Sequence, residues 1–176
     1  MRKHKRICFL CLLPVFLLIF GGCSSEKEKP KEDKAGYRIY YINKDETAVV
    51  TEPYAPKGDT TGALLEEFLV CLRESSGERE EKPAIPEDVV LLDYTLDKGQ
   101  LSLQFNLAYL DMNPLYEILC RSAIVRTLCQ IPEVETVSFM VGDSPLMDSN
   151  EIPIGALNEE SFVENAGDEI NTYTKT

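Results

Sequence analysis

Six cysteines and a single histidine are the side chains best suited to chemistry here. Cys8 and Cys11 have the C-x-x-C spacing of redox and zinc sites, and Ser24-Ser25-Glu26-Lys27 has the Ser-x-x-Lys spacing of penicillin-recognising serine enzymes. Cys120 and Cys129 lie nine residues apart on one expected helix. That separates them by about 13.5 Å along the axis, too far for a bond that needs Cα atoms within about 7 Å. One disulfide stays open, from Cys71 to Cys120 or to Cys129. The plainer reading is three small buried residues. Zinc lacks both histidine and close cysteine spacing. Asp143, Asp148, Asn150 and Glu151 suggest a calcium loop, but counting from Asp148 puts Pro153 where an EF-hand needs glycine. Solvated loop charge is the simpler account. Carboxylates are plentiful enough for a wall-glycan hydrolase working with two acids, yet no spacing marks a pair.

The N-terminus settles several of these readings. Arg2, Lys3, Lys5 and Arg6 form a cationic segment, Ile7 to Phe20 is an uncharged apolar run, and Gly21-Gly22 precede Cys23. This is the layout of a secretory signal peptide. A helix of such a run reaches roughly 21 Å, short of the roughly 30 Å hydrocarbon core, and Pro14 interrupts it. Phe20-Gly21-Gly22-Cys23 resembles a bacterial lipobox, with phenylalanine where leucine is usual. The resemblance implies cleavage before Cys23 and a diacylglycerol on its sulfur. Each buried CH₂ contributes about 0.8 kcal/mol, so two acyl chains hold where one is marginal. The expected location is therefore the extracytoplasmic face of the cell membrane, with Cys23 as the lipid-bearing residue. Cleavage removes Cys8, Cys11 and His4, and with His4 any His-based triad or base. It also leaves 14 basic against 30 acidic residues, a net charge of −16. Nucleic acids and anionic lipids are poor partners for such a chain.

The chain is expected to divide into a signal peptide (1–22), a lipidated cysteine and charged tether (23–36), a folded domain (37–143) and an acidic extension (144–176). The tether carries four charges of each sign and almost nothing apolar, so it cannot bury enough surface to fold. Its thirteen residues after Cys23 span at most about 43 Å.

Within the domain, Tyr37 to Asn43 alternates like a strand. Lys44-Asp45-Glu46 reads as a turn, and Thr47 to Thr51 as a second strand ended by Pro53 and Pro56. Asp59 to Arg73 reads as a helix, with Leu64, Leu65, Phe68 and Leu72 on one face and Asp59 or Thr60 as its cap. Glu74 to Asp88 reads as a polar connection. Val89 to Leu96 is a third strand. Asp97-Lys98-Gly99 makes a hairpin turn, and Leu101, Leu103 and Phe105 alternate with Ser102, Gln104 and Asn106 on a fourth strand. Asn113-Pro114 starts a helix that runs to about Ile131. Leu115, Ile118, Leu119, Val125 and Leu128 form its apolar face, and Glu117 pairs with Arg121. Val134 to Val141 is the last strand, and Ile152, Ile154 and Leu157 are placed to pack back. The order is ββαββαβ. The expected class is α+β, with two helices on one face of a small mixed sheet.

Several of these phrases together resemble the GerMN domain of sporulation and germination lipoproteins. They are Tyr40-Tyr41, Ala63-Leu64-Leu65-Glu66-Glu67-Phe68-Leu69, Ile85-Pro86 leading to Val90-Leu91-Leu92, and Gly99. Further on come Phe105-Asn106, Tyr109-Leu110, Ala123-Ile124-Val125-Arg126-Thr127-Leu128, and Ile131-Pro132-Glu133-Val134 before Val137-Ser138-Phe139. The family often has Gly-Pro after the first helix, where this chain has Cys71-Leu72-Arg73-Glu74. The resemblance implies a fold like that of ring-building motifs and a non-catalytic role, without cofactor or metal, in an envelope or sporulation complex. Partners would be other envelope proteins or further copies, with no small-molecule substrate. The rival readings are a carboxylate-dependent peptidoglycan hydrolase and a small-ligand-binding lipoprotein.

Overall fold

The computed structural model describes residues 36–76 and 81–162. The signal peptide, Cys23, the Ser24–Lys27 motif and the tether up to residue 35 lie outside the described residues. Alternating aromatic and β-branched residues give β1 (Tyr37–Ile42), which pairs antiparallel with β2 (Val49–Tyr54). β2 runs on through Pro53, where the sequence pattern ends it. Pro53 stands opposite Arg38 in the register. The Arg38 amide points away from β2, so this is a pair without backbone bonds, and proline's missing donor disturbs nothing there.

α1 (Thr61–Cys71) starts at Thr60, whose side chain accepts the Ala63 amide. Its buried residues are Leu64, Leu65, Phe68 and Leu69. Phe68 meets the rings of Tyr37 and Tyr54 edge-on, with centroids 5.3 and 5.9 Å away, which seats α1 on the β1–β2 hairpin. The connection after α1 is less polar in effect than in composition. Ala84, Ile85 and Val89 are buried, and Lys82 exchanges both backbone bonds with Ile42 at 3.0 and 2.8 Å.

β3 (Leu91–Asp97) and β4 (Gln100–Phe105) form a hairpin with a bulge between Leu91 and Asp93. Lys98 and Gly99 both have positive φ, 48° and 84°, the two-residue turn whose twist suits antiparallel strands. After a 3-10 turn at Leu107–Asp111, α2 (Pro114–Leu128) begins at Asn113, whose side chain accepts the Leu115 amide at 3.0 Å. β5 (Thr136–Val141) returns parallel to β4, and β6 (Ser144–Pro145) adds two residues to its far side. The α+β class and the order of elements hold. The strands divide between two ladders, β1-β2 and β3-β4-β5-β6, and α2 packs against both, touching β1, β2 and β5.

Two expectations for α2 change. Leu115 is 75% exposed and Ile118 46%, so neither belongs to the core. The C-terminal half is instead buried nearly all round, through Cys120, Ser122, Ala123, Ile124, Val125, Thr127 and Leu128. Only that half lies between the two ladders, and a helix covered on several sides has no single apolar stripe. The core continues along the chain past β6. Leu146 is buried, Ile154, Leu157 and Phe162 pack against it, and Leu157 exchanges backbone bonds with Val137.

β1 has an outer edge as well as the one facing β2. The Tyr40 amide donates to Thr127 Oγ1 at 3.1 Å, and the Arg38 amide donates to Gln130 Oε1 at 2.8 Å. Gln130 Nε2 donates back to the Arg38 carbonyl at 2.6 Å. Side chains at the end of α2 thus stand in for a neighbouring strand.

Cys120 is a buried core residue, and Cys71 and Cys129 are half-buried against the core. Cys71, Cys120 and Cys129 are all free, so the disulfide left open above is not formed. Burial raises all three thiols, Cys120 to about 12 and Cys129 to about 11.

Thr127→Val keeps shape but removes the acceptor for a buried amide. It should lower stability by about 1–3 kcal/mol, while Thr127→Ser should be milder. Chemical denaturation measures both, and an unchanged midpoint for the valine variant would contradict the bond's role. Because the thiolate is the reactive form, iodoacetamide at pH 8 should leave Cys120 and Cys129 largely unmodified in the folded chain. Labelling should rise toward pH 11–12 and become complete on unfolding. Peptide mapping reads this, and rapid labelling of Cys120 at pH 8 would refute it.

Candidate interaction surface

The alternation of β4 sends Leu101, Leu103 and Phe105 inward, joined by Val137, Phe139 and Val141 of β5. The opposite face of the four-stranded sheet is therefore polar. Its register sets Asp97 beside Gln100 and Thr136, Thr95 beside Ser102 and Ser138, and Asp93 beside Gln104 and Met140. Gln100 Nε2 donates to Ser138 Oγ at 3.1 Å, and Gln104 Nε2 donates to the Gly142 carbonyl at 2.9 Å. These bonds hold both amides flat across the strands. A shallow depression of about 250 Å³ opens here, lined by Asp93, Thr95, Ser102, Gln104, Met140 and Asp143. Its lining holds two carboxylates and no cation. Asp143, read from sequence as part of an acidic loop, thus lies at the rim of this face.

Around the edge of β3 the surface changes character. A groove of about 240 Å³ runs between α1 and β3, with Leu69, Val70, Leu91 and Leu92 in its walls. Val70 is 54% exposed and Leu92 56%. The Tyr94 hydroxyl crosses the groove to Glu66 Oε1. That hydrogen bond, then burial, raises the phenol above its ordinary value.

The carboxylates most engaged with the protein hold its own backbone. Glu67 accepts from the Tyr54 hydroxyl at 2.6 Å and from the amides of Lys57 and Gly58. The Tyr54 bond is the largest reason its carboxyl sits below the usual range. Asp148, where a calcium loop would have had to start, accepts the amides of Ile152 and Asn150 at 2.9 and 2.8 Å, and these lower it too. A catalytic general acid needs the opposite shift. Glu117 forms the expected pair with Arg121 and also accepts the hydroxyl of buried Tyr109 at 2.8 Å. Burial, then Glu117, pushes that phenol well up.

Sequence reasoning found the wet side of β4 through Ser102 and Gln104. It did not find the face as a whole, because Asp93, Thr95 and Met140 join it only through inter-strand register. The groove was missed as well. Its one local signal was two apolar residues, Val70 and Leu92, off the buried faces of their elements.

Comparisons with known proteins bear on this arrangement. The family model described as Germane, sporulation and spore germination, matches residues 38–147. The first GerMN domain of the sporulation protein GerM from Bacillus subtilis has a similar fold, with a TM-score of 0.53 at 18% identity. The match covers 70% of this chain and 97% of that one. The tandem GerMN domains of the Bacillus subtilis protein match with a TM-score of 0.55 at 17% identity, over 74% of this chain and 51% of that one. This chain thus spans about half the length of the tandem structure. No curated protein sequence matches the chain. With the family model covering more than half of its residues, the chain belongs to the Germane family of sporulation and spore germination domains.

Proposed function

We propose that this chain is a lipid-anchored, non-catalytic binding module on the extracytoplasmic face of the membrane, working within a sporulation- or germination-related envelope complex. The observation that carries the reading is the family match over residues 38–147. The anchor draws its support from the N-terminal order of cationic residues, apolar run, Gly21-Gly22 and Cys23. Among the described residues, no helix is long and apolar enough to cross a membrane. Binding by surface shape is supported by the open polar face and the adjoining groove. Several side chains that could do chemistry are engaged elsewhere. Cys120 is buried and Cys71 and Cys129 half-buried, all with raised thiols, and Glu67 and Asp148 are bound to backbone amides.

The mature domain carries most of the chain's negative charge behind a tether of balanced charge. It would therefore be held near an anionic membrane without adsorbing to it.

Cys23→Ser should abolish incorporation of labelled palmitate and move the protein out of the membrane fraction, as read by fractionation and autoradiography. Equal labelling and retention in the variant would overturn the anchor. Cross-linking in cells should recover other envelope proteins joined to this chain. Recovery of monomer alone at every growth stage would overturn the binding role.

A further inference from the structure

Sheet edges invite pairing with other chains, and folded proteins usually block them. Among the described residues, three of the four edges carry a device against pairing. The outer edge of β1 is bonded by Thr127, Gln130 and Lys82. β2 carries Pro53, whose missing amide falls on its outer side. β6 is two residues long and ends in Pro145. The fourth edge belongs to β3, which has seven residues.

Asp97 and Gln100 close a two-residue hairpin and bond to each other, so the amides of Tyr94 and Leu96 point outward. The Tyr94 amide donates to the carboxylate of Asp93 at 2.9 Å. Among the described residues, no strand lies opposite the Leu96 amide. On one side of this edge the sheet presents Asp93, Thr95 and Asp97. On the other side is the groove with Val70 and Leu92, whose charged lining is Glu66, Arg73 and, at the edge itself, Asp93.

We propose that the edge of β3 receives an extended segment of a protein partner, added as a fifth strand, in which Lys or Arg alternates with apolar residues. An added strand would direct successive side chains to opposite faces. One set would meet Asp93 and Asp97, and the other would cover Val70 and Leu92. The acids also decide against a second copy of this chain. Two β3 edges paired together would set aspartates against aspartates, and like charges across a strand pair repel. This proposal rests on the reading of the domain as a binding module and names the chemistry of its partner.

The test uses the full chain in detergent and three synthetic eight-residue peptides. One alternates Lys and Val, one has the same residues as a Lys block followed by a Val block, and one alternates Glu and Val. The alternating Lys/Val peptide should bind saturably by fluorescence anisotropy, at least tenfold more tightly than either other peptide. At saturation, hydrogen exchange at the Leu96 amide should slow at least tenfold. Asp93→Lys with Asp97→Lys should weaken the Lys/Val peptide tenfold or more and admit the Glu/Val peptide. Val70→Asp, on the other wall, should weaken the Lys/Val peptide independently, and circular dichroism confirms that both variants fold. Equal binding of the two Lys/Val peptides, or binding without protection of Leu96, would overturn the proposal. So would a concentration-dependent dimer that protects Leu96 without peptide. Any of these would leave the cross-linking result in cells untouched, so failure here is distinguishable from failure of the binding role.

Discussion

The amides of Arg38, Tyr40 and Ile42 point away from β2, and the way they are satisfied decides how the molecule is assembled. Ile42 is buried, Tyr40 half-buried and Arg38 exposed, and a buried donor without a partner costs about 1–3 kcal/mol. Among the described residues, no strand other than β2 lies beside β1 to receive them. Thr127 and Gln130 accept two, and the Lys82 carbonyl accepts the third. The consequence is geometric. The end of α2 must sit against β1, and the connection after α1 must pass Ile42. Once α2 is held there, its Ala123, Ile124 and Leu128 fill the space between the hairpin and the larger sheet. Thr127 is a modest helix former, and in the last turn of α2 it serves as the acceptor of the Tyr40 amide.

The same economy governs the polar groups elsewhere. Glu67 ties the loop before α1 to Tyr54, Glu117 joins α2 to Tyr109, and Asp148 closes its own loop. These acids work as acceptors for amides and phenols. Such contacts depress a carboxyl or raise a phenol, and both shifts keep the folded protein's hydrogen bonds intact near neutral pH. The cysteines are similar. Burial keeps them protonated, so they pack as small apolar residues. What remains free to act on other molecules is surface: a polar sheet face, a groove with both apolar and charged walls, and the strand edge between them.

Much of the fold was legible in the sequence. Asn113-Pro114 marked the start of α2 because a capping acceptor followed by proline suits only that position. Lys98-Gly99 marked the turn before β4, and Gly99 has to be glycine there. A Cβ at its φ of 84° would lie 2.9 Å from the Glu135 side chain. The alternation from Leu101 to Phe105 correctly gave one dry and one wet face, and so half of the candidate surface. The proposal of a lipid on Cys23 is a reading of local order alone.

Local pattern fixes period, caps and turns, because these depend on neighbours within a few residues. The sequence therefore determined the element order, the helix starts and the inward side of β4. Tertiary structure alone decided the division into two ladders, the exposure of Leu115 and Ile118, and the passage of β2 through Pro53. It also decided which edges are closed. Those outcomes depend on partners far apart in the chain, 87 residues from Tyr40 to Thr127 and 92 from Arg38 to Gln130. No spacing rule reaches across such distances. A hydrogen bond between a helix side chain and a strand amide leaves no periodicity in either segment, so it exists only once both are packed.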